Sequence, residues 1–249
     1  MKNYHALCRF TLTVLIISVF LIPSGYAEQT LKQVWSNFPP FTIAENPDSP
    51  GFSYELVREM HRYSGLPFNP EFFPWKRAQI YTQEQEMYLI FSIARTENRE
   101  PLYTWISKLI SIDFGFVMAP KISWAITSFE DAKKLTSIGV VDGTPQHRML
   151  VEQGFTNLDV VVNEEFNAKK LVHGRIDAWY GPIHRAFYLL KESNVKEKPK
   201  VSKAFTTVDS YLAGNLNVSK KVVTKLQAAF EQMKSDGTYD RIYNKYFEF

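Results

Sequence analysis

Residues 137–150, Ser-Ile-Gly-Val-Val-Asp-Gly-Thr-Pro-Gln-His-Arg-Met-Leu, read as a strand that turns directly into a helix. Ser137 to Val141 is a short apolar run, the mark of a buried strand. Asp142 and Gly143 supply the turn. Thr144 offers an N-cap hydroxyl, and Pro145 fits the first helical position, where its missing N–H is not needed. The same punctuation recurs on either side. Upstream, Ser128-Phe-Glu-Asp131 forms a capping box before a short helix. Downstream, strand-like Leu158–Val162 and Ile176–Tyr180 alternate with helix-like Glu164–His173 and Pro182–Leu190, then the charged connection Lys191–Lys200. Such alternation predicts an α/β architecture.

A second α/β unit precedes this one. Leu31–Trp35 reads as a strand, followed by the loop Asn37-Phe38-Pro39-Pro40-Phe41. Ser53 is expected to cap a helix whose Leu56, Met60 and Tyr63 share a face and which Gly65 stops. Phe68–Phe73 is a strand ending at Pro74-Trp75, Arg77–Glu86 a polar helix, Tyr88–Ile93 a buried strand, and Ser111–Met118 a longer one. At the C-terminus, Val222, Leu226, Phe230 and Met233 line one helix face behind a Ser219 cap, and Gly237 ends it. From Thr238 a second helix carries Tyr239, Ile242, Tyr243, Tyr246 and Phe247 on one stripe, as core packing. The expected arrangement is two lobes, residues 28–114 plus 211–249 and residues 115–210, joined by two crossings that make a hinge. The cleft between them is the expected ligand site.

The 249 residues are 45% hydrophobic and 22% charged, globular proportions that argue against disorder or a multi-span membrane protein. Net charge is +3, but Lys2 and Arg9 lie in an N-terminal stretch with no acid, leaving 27 basic against 26 acidic residues. A nucleic-acid partner or an anionic membrane surface therefore has no electrostatic support. A basic Met1–Arg9, an apolar Phe10–Ile22 and the small-residue site Gly25-Tyr26-Ala27 read as an export signal cleaved after Ala27; about 13 apolar residues are too few to span a bilayer. Cys8, the single cysteine, lies inside that segment. The expected product is a soluble, monomeric periplasmic protein without thiol chemistry.

No phosphate-loop, dinucleotide or nucleophile-elbow motif is present, and His61, His147, His173 and His184 lack metal-ligand spacing. No cofactor or metal is expected. Three features point to binding instead. Thr96-Glu97-Asn98-Arg99 follows the strand Tyr88–Ile93, and strand ends face the cleft in open α/β sheets; a guanidinium there can take a carboxylate through two parallel hydrogen bonds. The turn at Gly143 and Thr144 exposes helix N-terminal N–H groups suited to an anion. Phe41 and Trp75, with Lys76 and Arg77 beside them, form an aromatic lip able to stack on a ligand. Each has an ordinary structural alternative: a surface arginine, a capped turn, core aromatics.

Taken in order, Pro39-Pro40-Phe41, Gly51-Phe52, Pro74-Trp75, Thr96-x-x-Arg99-Glu100, Gly143-Thr144, Gly174-Arg-Ile-Asp-Ala178 and Asp236-Gly-Thr-Tyr239 make the chain resemble the bacterial extracellular solute-binding proteins of family 3, receptors of polar amino-acid ABC importers. The resemblance implies a type II-like periplasmic binding protein fold with two hinge strands. It also implies ligand contacts at Arg99 and Thr96 for the carboxylate, at the Ser92 backbone, at Gly143 and Thr144, and at Phe41. The chain departs from the family at Pro182, where amino-acid binders usually carry an aspartate for the α-ammonium. It departs again at Arg77, near the usual lip aromatic, and in Phe91-Ser-Ile-Ala-Arg95, usually glycine-rich.

The expected function is capture of a small carboxylate-bearing, amino-acid-like solute, not restricted to α-amino acids, for an ABC permease. Two alternatives are an enzyme of the same fold acting on cyclic carboxylic acids, with Asp113 and Glu97 as acid–base candidates, and a ligand-sensing receptor domain.

Overall fold

The computed structural model describes residues 30–249; the expected export signal lies outside the described residues. Eight strands form one sheet in the order β2-β1-β3-β8-β4-β7-β5-β6. They are β1 Lys32–Trp35, β2 Pro70–Phe72, β3 Tyr88–Ala94, β4 Thr104–Met118, β5 Ile138–Val141, β6 Leu158–Val161, β7 Ala178–Pro182 and β8 Thr206–Gly214. Strands β1, β2 and β3 run parallel at one end, and β5, β6 and β7 at the other. The long β4 and β8 are antiparallel to their neighbours and join the two groups.

Around the sheet lie α1 Phe52–Ser64, α2 Trp75–Glu84, α3 Phe129–Lys133, α4 Pro145–Glu152, α5 Glu164–Val172, α6 Ile183–Glu192, α7 Lys220–Ser235 and α8 Thr238–Phe247. None of the helices in the described residues is long and apolar enough to cross a membrane. Each face of the sheet must bury its apolar side, and the buried side chains do so in separate groups. One packs Leu31, Phe52, Leu56, Phe91 and Leu212 against Val222, Phe230 and Phe247. Another gathers Phe116, Ile138, Leu150 and Tyr180, and a third Val117, Leu171, Trp179 and Phe187. Along β4, core membership changes between Ile112 and Phe116.

Local chemistry follows the sequence at most helix starts. Ser128, Thr144 and Ser219 each accept a hydrogen bond from the third residue on, at 3.1, 3.1 and 3.3 Å. At α1 the expectation fails. The helix begins two residues early, with Gly51 rather than Ser53 at its N-cap, and the Ser53 hydroxyl is buried without a partner. Gly51 holds φ +106°, and a Cβ there would lie 2.6 Å from the Phe41 carbonyl group. Only glycine lets the chain pass Phe41 this closely. Trp75 is likewise the first residue of α2 rather than the end of a strand. The first half of β4, from Thr104, and the whole of β8 are strands that the sequence expectations above do not include.

Candidate functional site

The site begins with an irregularity in β3. Phe91 pairs with Leu212 and Ile93 with Tyr211, so Ser92 bulges out of the ladder. Its φ of +61° lies in the left-handed region, rare for a non-glycine residue, and its hydroxyl is buried with no hydrogen-bond partner. Beyond the strand, Thr96 opens a short 3-10 helix, Glu97–Leu102, its carbonyl accepting from the N–H groups of Arg99 and Glu100, both at 2.9 Å. That turn brings Arg99 back over the bulge.

Arg99 is held by few contacts. One N–H donates to the Ala94 carbonyl at 3.2 Å, and the guanidinium lies 5.7 Å from the Trp75 ring centroid. Among the described residues no carboxylate pairs with it. The neighbouring acid, Glu100, is taken by Arg95 through two hydrogen bonds of 2.8 and 2.5 Å, and Arg95 is wedged against Trp105 and Tyr211, each 5.3 Å away. Hydrogen bonding from Arg95 also holds the Glu100 carboxyl below its usual range. Arg99 therefore keeps most of its donors for another acceptor.

A cavity of about 280 Å³ opens beside it, lined by Ser36, Asn37, Phe38, Trp75, Phe91, Ser92, Ala94 and Arg99. Of the residues singled out from the sequence, Trp75, Ser92 and Arg99 meet here. Thr96 supports the turn through its backbone and does not line the cavity. Phe41 is 1% exposed and sits behind the wall, stacked on Phe38 at 5.2 Å; Phe38, 45% exposed, is the aromatic that faces the cavity. Arg77 is exposed on α2 and lies 5.9 Å from both the Phe73 and Tyr81 rings, outside the cavity lining. Gly143 and Thr144 are in the second strand group: Gly143 has φ +67°, and the Thr144 hydroxyl caps α4 and donates to the Val141 carbonyl at 2.8 Å. They too are outside the lining.

Ser36, Asn37, Phe38, Phe91 and Ala94 complete the site without having been singled out as contacts. The loop containing Asn37 and Phe38 is legible as a loop, but nothing in its order tells which of Phe38 and Phe41 turns outward. Asp113 and Glu97 do not converge on the cavity. Asp113 accepts a hydrogen bond from the Thr207 hydroxyl at 2.7 Å, and Glu97 is exposed. No group of three His, Cys, Asp or Glu among the described residues is arranged to hold a metal ion. Pro182 ends β7 opposite Phe114 and opens α6, so that position offers no carboxylate.

Residues 33–249 match the sequence model of the bacterial extracellular solute-binding proteins, family 3. A curated relative, "Putative ABC transporter arginine-binding protein 2" of Escherichia coli (strain K12), is 29% identical over 126 residues, 47% of this chain. The chain spans about half the length of that relative, the match covering 50% of it. Among solved structures, "the second substrate binding domain of a putative amino acid ABC transporter" from Streptococcus pneumoniae Canada MDR_19A superposes with a TM-score of 0.72 at 18% identity, covering 88% of this chain and all of that one. An "Ancestral Cationic Amino Acid Solute Binding Protein" gives 0.72 at 20% identity, covering 88% and 95%. At such identities the likeness is one of fold, two-lobed and type II-like.

Proposed function

Since the chain belongs to the bacterial extracellular solute-binding proteins of family 3, we propose that it captures a small carboxylate-bearing, amino-acid-like solute between its two lobes and delivers it to an ABC importer. The observation that carries this reading is Arg99: a guanidinium with no ion pair among the described residues, at the wall of a cavity and steadied by Trp75 and the Ala94 carbonyl. A charge left without a partner in a half-buried cavity is poorly solvated, and a ligand carboxylate restores what is missing through two parallel hydrogen bonds.

The lobes in this reading are residues 28–114 with 211–249, and 115–210; the division of the buried core along β4 supports it. The α4 N-terminus at Gly143 and Thr144 belongs to the second lobe and meets the anion only when the lobes approach. A ligand that makes contacts in the closed arrangement and lacks them in the open one draws the equilibrium toward closure. The protein is read as a binding protein without covalent chemistry, monomeric, exported to the periplasm by a signal cleaved after Ala27.

Arg99→Ala tests the reading. Loss of one charge-assisted pair, about 1.5–3 kcal/mol, should weaken carboxylate binding by roughly 10- to 150-fold in titration calorimetry. Equal affinity in the variant and the parent would end the assignment.

A further inference from the structure

The hydrogen-bonding groups around the cavity are unevenly divided between donors and acceptors. Arg99 has N–H groups to spare after its single bond to the Ala94 carbonyl. Asn37 uses its carbonyl oxygen to accept from the Ala44 N–H at 3.0 Å, so its amide N–H₂ is what it has left to offer. Ser92 presents a buried hydroxyl with no partner. The acceptor side is depleted: the Ala94 carbonyl is engaged by Arg99, and no carboxylate lines the cavity. Ser36 has its hydroxyl proton committed to the Phe73 carbonyl at 2.6 Å. Of the acids named so far, Glu97 is exposed and outside the lining, and the others have partners. Glu100 pairs with Arg95, Asp113 with Thr207, and Asp209 with Ser111 and Lys108. In the second lobe, Asp142 beside the Gly143 turn faces the His147 ring at 3.2 Å.

An ammonium group carries three donors and no acceptor. In a cavity whose spare side-chain groups are donors, it would exchange water for the weaker attraction of ring faces alone, next to a guanidinium of the same sign. The apolar walls are aromatic: Phe38, Trp75 and Phe91. At about 280 Å³ the space is at the small end for ligand sites, suited to one flat ring system rather than a peptide or sugar chain.

Resting on the carboxylate-capture reading above, we propose that the cavity selects a monocarboxylate with a flat apolar body and no ammonium group, and disfavours the α-amino acid of the same skeleton. The carboxylate lies against Arg99 with Ser92 and Asn37 as further donors, and the ring lies among Phe38, Trp75 and Phe91.

Titration calorimetry of the purified protein with matched pairs decides this: 3-phenylpropionate against L-phenylalanine, and indole-3-propionate against L-tryptophan, with L-arginine alongside. Each acid is expected to bind about tenfold or more tighter than its amino acid, with arginine weakest and the acids' binding lost in Arg99→Ala. If phenylalanine, tryptophan or arginine binds as tightly as the acids or tighter, and Arg99→Ala abolishes that binding, the selectivity inference is wrong and carboxylate capture stands. If none of the five binds, or Arg99→Ala leaves binding unchanged, both are wrong.

Discussion

Lowering the pH from 7 to 5 should loosen the fold at His184. This residue lies on α6 with 8% of its surface exposed, packed on the Phe41, Tyr243 and Phe247 rings at 6.3, 5.9 and 4.8 Å. One ring nitrogen lies 3.2 Å from the Tyr243 hydroxyl, and the other is buried without a partner. Burial pushes its pKa from 6.5 down to about 4, opposed in part by Asp113 and reinforced by Lys198. Between those values the unfolded chain binds a proton that the folded chain refuses. Stability from this group is thus complete above pH 6.5 and is lost as pH falls toward 4. The full gap is worth about 3 kcal/mol, of which about 2 kcal/mol falls between pH 7 and pH 5.

His61, also buried and also lowered to about 4 by burial, adds a loss of the same sign. Glu164, raised by burial, acts in the opposite direction. His184→Phe keeps a ring among rings and removes the titration, so comparing variant with parent cancels the other groups. Urea unfolding followed by tryptophan fluorescence at pH 7 and pH 5 should show the variant losing about 2 kcal/mol less than the parent. Identical losses in the two proteins would refute the argument.

Gly51→Ala should destabilise by about 3 kcal/mol or more, because φ is strained and the new Cβ meets Phe41 backbone at 2.6 Å; a loss under about 1 kcal/mol on denaturant unfolding would contradict this. Ser92→Gly separates fold from function. Relief of the left-handed backbone, about 1 kcal/mol, is set against glycine's greater freedom when unfolded, so stability should stay within about 1 kcal/mol while carboxylate affinity falls. Unchanged affinity in that variant would remove Ser92 from the site.

Much of the framework is visible before any coordinates. Several elements that lie within one strand group carry a clear signal, with one side buried and a cap where the apolar pattern starts, although α1 begins at Gly51 rather than at the expected Ser53. Thr144-Pro145 and Ser219 are examples, and the α8 stripe buries Ile242, Tyr246 and Phe247 as its spacing requires. The long β4 and β8 are harder to read. β4 shifts register between Trp105 and Ser107 and again between Lys108 and Ile110, which breaks the alternation on which a strand reading depends. β8 mixes exposed Thr206 and Thr207 with buried Leu212 and Ala213 because its two ends have different surroundings. At the site, Arg99 is legible from its place after a strand. The choice of Phe38 over Phe41 as the exposed ring is not, because Phe41 is drawn inward by partners distant in sequence, Phe247 and His184.

Helix α6 meets α8 and the residues after it largely through rings: His184 against Tyr243 and Phe247 of α8, and Phe187 against Phe249 at 5.5 Å. Directional bonds along this seam include the one from His184 to Tyr243 and one from the Lys191 ammonium to the Glu248 carbonyl at 2.7 Å. Aromatic pairs contribute through large buried area and preferred edge-to-face or offset geometry. The seam therefore depends on the fit of its rings more than on a ladder of hydrogen bonds. Trimming any one of these rings would leave a void between α6 and the chain's C-terminal end.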